Sequence, residues 1–108
     1  MKDWLERAEK AIEYLASTDR QIAEYRVKYE KDKRKAKRIR DAIFLRVTGT
    51  VADRSAQAEV HDDYQTAVAA EMTSLLEYEK LRNERDSARD LVYFWRSYNK
   101  AINEGNVT

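Results

Sequence analysis

The chain has 108 residues with no Cys, no Pro and two Gly, and its 21 Lys/Arg against 20 Asp/Glu leave a formal charge of +1. That length bounds it to a single domain spanning residues 1–108, and the missing thiols exclude disulfide frameworks and thiolate metal sites. No apolar run nears the ~20 residues of a membrane span, and the charged start MKDWLERAEK is not a signal peptide, so the expectation is a cytoplasmic protein without membrane contact.

The composition, with 38 % charged residues of both signs, is that of long helices or coiled coils. Residues 3–16 form the first predicted helix. Trp4, Leu5, Ala8, Ala11, Ile12 and Leu15 share one face. Ser17-Thr18-Asp19 interrupts the pattern, and Thr18 with Gln21 has capping-box spacing for a second helix. The alternative is a helix continuous through this point, since neither Gly nor Pro enforces a break.

The second predicted helix, 19–47, carries Ile22, Tyr25, Tyr29, Ala36, Ile39, Ile43 and Val47 on one stripe, with a polar gap at Asp32 and Lys33. It also holds the most unusual stretch of the chain. Residues 28–46 contain Lys28, Lys31, Lys33, Arg34, Lys35, Lys37, Arg38, Arg40 and Arg46 against Glu30, Asp32 and Asp41, a net of +6. The residues before it net −1 and those after it −4. A dense positive section in an otherwise acidic chain points to nucleic-acid phosphate. The competing reading is a solvated face that pairs with acids of a neighbouring helix. Tyr25 and Tyr29 adjoin the basic run and are candidates for stacking on unpaired bases.

Thr48-Gly49-Thr50 ends this helix, with Gly49 placed for a left-handed cap. Thr50 and Asp53 then start a short helix at 51–58. His61-Asp62-Asp63 ends it and caps the last helix, 63–102. There Tyr64, Ala67, Val68, Met72, Leu75 and Leu76 form one apolar face, and Leu81, Ala88, Leu91, Trp95, Tyr98 and Ile102 a second. Trp95 reads as core. Arg89, Arg96 and Lys100 add positive charge near the C-terminal end, and Val107-Thr108 is expected to fray.

These lengths predict an all-α fold: an elongated, coiled-coil-like antiparallel helical hairpin or bundle of two long helices with shorter helical segments. The expected register lays Val68 near Ile43, Met72 near Ile39, Leu75 near Ala36, Trp95 near Leu15 and Tyr98 near Ile12. Tyr29, Asp32 and Lys33 then meet Tyr78, Glu79 and Arg82 in a charged waist. Apolar residues left over from such a pairing, Leu76, Tyr93 and Phe94 foremost, predict a homo-oligomer interface.

Catalytic chemistry finds no support. His61 is the sole histidine, and with Asp62 and Asp63 it reads as a helix cap in preference to a metal site. Two glycines cannot build a phosphate-cradling loop. No enzyme activity, metal or cofactor is expected.

The connector Gly49-Thr50-Val51-Ala52-Asp53-Arg54, with Tyr64, Tyr78-Glu79, Leu81-Arg82, Arg85 and Trp95-Arg96-Ser97, resembles small all-helical recombination accessory and mediator proteins of tailed phages. The resemblance covers about residues 25–100, although this chain carries fewer Lys near its C-terminal end. It implies a phage-encoded, non-catalytic homo-oligomer in the host cytoplasm that binds single-stranded DNA through a basic surface. It further implies contacts to a recombinase or a single-strand-binding protein. The alternative function is a protein-interaction or inhibitor module that meets a host or phage protein and binds no nucleic acid; a structural coiled-coil part of a virion is a third.

Overall fold

The computed structural model describes residues 2–105, and three α-helices account for nearly all of them, with no strand among the described residues. Helix α1 spans Lys2–Arg46, α2 Val51–Val60 and α3 Asp62–Gly105. The fraying expected at Val107 and Thr108 falls outside the described residues. The packing divides into two compact units. One joins α1 up to Ile22 with α3 from Lys80; the other is Ala23–Glu79. In each unit α1 and α3 run antiparallel against one another.

The break expected at Ser17–Asp19 does not occur, and helices 3–16 and 19–47 are one. Ser17 Oγ and Thr18 Oγ1 both donate to the Tyr14 carbonyl, at 2.9 and 2.7 Å. Hydroxyls that bond back one turn are accommodated inside a helix instead of ending it. The end of α1 is real: Gly49 takes a φ of +123°, and a Cβ there would lie 3.1 Å from the Asp53 Cβ. Glycine is therefore required in this turn. Thr50 then starts α2 with a complete capping box. Its hydroxyl accepts from the Asp53 amide at 3.1 Å, and the Asp53 carboxylate accepts from the Thr50 amide at 3.3 Å.

The helices meet along steps of three and four residues, the spacing of a coiled-coil seam. On α1 the series Ala8, Ala11, Leu15, Thr18, Ile22, Tyr25, Tyr29, Asp32, Ala36, Ile39, Ile43 is buried or half-buried throughout. On α3 so is Tyr64, Ala67, Glu71, Ser74, Tyr78, Leu81, Arg85, Ala88, Val92, Trp95, Asn99, Ile102. Four of the seven buried apolar members, Ala8, Ala11, Ala36 and Ala67, are alanines, each removing little apolar area from water. Polar pairs occupy the seam between them. In the Ala23–Glu79 unit Ser74, 2 % exposed, donates to the Asp32 carboxylate. The Tyr29 and Tyr78 rings stack beside them, 6.4 Å apart and 7° from parallel.

The other unit is pinned by Arg85, whose side chain is 5 % exposed. Its guanidinium donates to the Leu15 carbonyl at 2.8 Å, to Thr18 Oγ1 at 2.6 Å and to Asp19 Oδ1 at 3.2 Å. Next to it the Tyr14 hydroxyl donates to Glu84 at 2.8 Å. Burial and the Glu84 carboxylate, outweighing the nearby Arg85 charge, raise the Tyr14 phenol above its ordinary value.

These polar pairs correct the expected register by about one helical turn. Tyr29 meets Tyr78, as expected of the waist, whereas Asp32 meets Ser74, about one turn before the expected Tyr78–Arg82 stretch. Ile43 lines one surface groove with Asp63 and Thr66, and Leu15 another with Arg89 and Val92. Met72, expected against Ile39, is 52 % exposed. The expectation aligned apolar residues only, whereas the seam accepts polar side chains that satisfy one another.

Two outcomes follow. Arg85→Ala strips the buried layer of its donors and is expected to cost about 2–4 kcal/mol in urea unfolding, whereas Asp19→Ala, on a carboxylate that is 80 % exposed, costs less than about 1 kcal/mol. A raised phenol pKa in the folded chain gives stability that is full below the unfolded tyrosine value and lost as pH rises through the folded one. The wild-type melting temperature is therefore expected to fall more steeply above pH ~10 than that of Tyr14→Phe.

Candidate nucleic-acid interface

The seam decides which side chains of α1 are free. With Tyr29, Asp32, Ala36, Ile39 and Ile43 turned to α3, the 3.6-residue period carries Lys31, Arg34, Lys37 and Arg38 to the opposite, outermost side. These four line one shallow groove with Asp41, and all four are exposed. Among the described residues no carboxylate lies within 4 Å of any of their charged ends.

The remaining predicted cations are placed differently. Lys28 pairs with Glu77 at 3.7 Å and Arg40 with Glu59 at 3.2 Å, so both neutralise acids of neighbouring helices. Lys33 lies 6.0 Å above the Tyr29 ring. Lys35 flanks the seam near Asp32, and Arg46 is exposed at the last turn of α1. The basic run is thus divided: Lys28 and Arg40 are paired with acids of neighbouring helices, and Lys31, Arg34, Lys37 and Arg38 have no acidic partner among the described residues.

Tyr25 and Tyr29 are not brought together with those four cations. Both are half-buried on the seam side, and Tyr29 spends a ring face on Tyr78. Their spacing to Asp32 and Ala36, at steps of four, three and four, was the signal that they belong to the seam.

Arg54 is a residue whose role the sequence did not reveal. Its Nε and Nη2 donate to the Phe44 carbonyl at 3.0 and 2.8 Å, and its guanidinium lies 4.3 Å from the Phe44 ring centre. Phe44 is in the last turn of α1, where carbonyls lack helical partners and the helix dipole is negative. Arg54 therefore caps α1 from α2. Gln57 does the same for the loop, donating to the Thr48 carbonyl at 3.1 Å. Together they fix the end of the basic helix against α2, whose Ala58 is fully buried.

His61 acts as a cap. Its Nδ1 accepts from the Asp63 amide at 3.1 Å at the start of α3. Among the described residues no three His, Cys, Asp or Glu side chains are grouped to hold a metal ion.

The predicted oligomer residues are all open: Leu76 is 70 %, Tyr93 69 % and Phe94 64 % exposed. Leu81 and Leu91, of the second apolar face of the last helix, are buried and half-buried. Comparison of the chain with protein-family models, curated proteins and solved structures gave no match. The likeness to phage recombination accessory proteins thus rests on the sequence pattern.

Proposed function

We propose that this chain is a non-catalytic accessory factor that binds nucleic acid through the outer face of α1, with Lys31, Arg34, Lys37 and Arg38 on backbone phosphates. The observation that carries this reading is that four cations share one exposed face and none is neutralised within the described residues. Holding four like charges side by side is unfavourable without an anion, and a polyphosphate backbone supplies a row of them. Phosphate contacts hold and position a nucleic acid without reading its sequence. A role in assisting recombinase loading, with contacts to a recombinase or a single-strand-binding protein as the resemblance to the phage mediators implies, belongs to this reading.

A protein partner is the second reading. It is favoured by the unit formed by the N-terminal part of α1 and the C-terminal part of α3. There Trp4, Leu5, Ile12, Tyr93, Phe94 and Tyr98 are all exposed, well beyond a scatter of single apolar residues. A second copy of the chain is the partner proposed for it, which makes the protein a homo-oligomer.

Reversing all four cations to Glu is expected to weaken nucleic-acid binding by about 100-fold or more while leaving the circular-dichroism spectrum unchanged, because none of them faces α3. Unchanged binding would reject the assignment of this face. Sedimentation equilibrium is expected to give a mass above the 12.8 kDa monomer, and the Leu76→Asp, Phe94→Asp double variant to lower it. A monomeric wild type would reject self-association.

A further inference from the structure

We infer that the basic face of α1 is matched to double-helical nucleic acid and binds it more tightly than an unpaired strand; this rests on the proposal that the face contacts backbone phosphates. Three observations point the same way.

The first is where the aromatic rings are. Proteins that hold unpaired strands combine a basic track with exposed aromatic side chains on which bases stack. The unit Ala23–Glu79 contains Tyr25, Tyr29, Phe44, Tyr64 and Tyr78, and every one is half-buried. Tyr29 and Tyr78 stack on each other, and the Phe44 ring lies against the Arg54 guanidinium. The four free cations thus have no stacking platform on their own face, and their contacts are with phosphate alone.

The second is charge density. Lys31 to Arg38 covers seven steps of helix, about 10 Å at ~1.5 Å per residue. Along that length one strand presents about three phosphates, at ~3.4 Å each, and a duplex about six, at ~1.7 Å. Four cations on a rigid rod outnumber the phosphates that one strand presents along it, and a second strand supplies the remainder.

The third is their distribution about the helix. Arg34 lies on the outermost line, Lys37 to one side of it, and Lys31 and Arg38 to the other, as the helical period requires. This splayed set can reach phosphates of both strands across a groove. The exposed half of a helix ~10–12 Å in diameter also suits a major groove ~12 Å wide. The same splay on a convex surface offers an unpaired strand no channel to lie in.

The test compares fluorescence anisotropy of a labelled duplex DNA with that of its isolated strand, at equal length and mixed sequence, across a salt series. Duplex affinity is expected to exceed single-strand affinity by about tenfold at low salt, with a log–log salt slope near −3.6 for four contacts at about −0.9 each. The Lys31, Arg34, Lys37, Arg38→Glu variant is expected to lose binding to both. Tighter binding of the isolated strand, or equal binding, would overturn the duplex preference and leave the phosphate-binding face standing. Binding to neither DNA would overturn that face, and this inference with it.

Discussion

The α1–α3 seam is the constraint from which the other features follow. A hairpin whose buried apolar residues are mainly alanines gains little from area, so apolar matching alone specifies its register weakly. The polar layers supply what the alanines lack. Arg85 reaches Leu15, Thr18 and Asp19 in one unit, and Ser74 reaches Asp32 in the other. A slip of one turn would leave Arg85 buried without acceptors, at a cost of several kcal/mol. Buried polar groups of this kind select one alignment even where they add little net stability.

Once that alignment is set, the functional surface is set with it. Every residue that the seam takes inward fixes its neighbours' direction outward. Tyr25, Tyr29 and Asp32 go in; Lys31, Arg34, Lys37 and Arg38 go out. Lys28 and Arg40, at the flanks, meet Glu77 and Glu59, so the acids of α2 and α3 consume only the cations nearest the seam. Arg54 then holds the C-terminal end of α1 against α2, which keeps the basic helix from unravelling at the turn.

Much of this was legible in the sequence, because helices without Gly or Pro announce themselves by period alone. The turn at Gly49 and the Thr50–Asp53 cap were readable for the same local reason. Continuity through Thr18 was not, since a Ser-Thr-Asp triplet looks like a cap until its hydroxyls bond back to Tyr14 and Thr18 also receives Arg85. The register was misjudged because it was set on apolar residues, with Asp32 taken as a gap in the stripe and Ser74 and Arg85 left out of it. Their unbroken steps of three and four with Tyr29, Tyr78 and Leu81 mark them as seam residues. The basic run was plain, but composition could not divide it into paired and free cations; that division needs Glu59 and Glu77 in place. Arg54 as a cap lay beyond sequence reasoning, as its partner is a backbone carbonyl ten residues earlier.

The central claim is that nucleic acid lies on the outer face of α1, and lysine footprinting tests it most directly. The chain is acetylated with and without saturating duplex DNA, and each lysine is scored by mass spectrometry. Lys31 and Lys37 are expected to be protected several-fold, while Lys10, Lys80 and Lys100, exposed in the other unit, label as before. Uniform labelling of Lys31 and Lys37 in the bound complex, or protection confined to Lys80 and Lys100, would contradict the account.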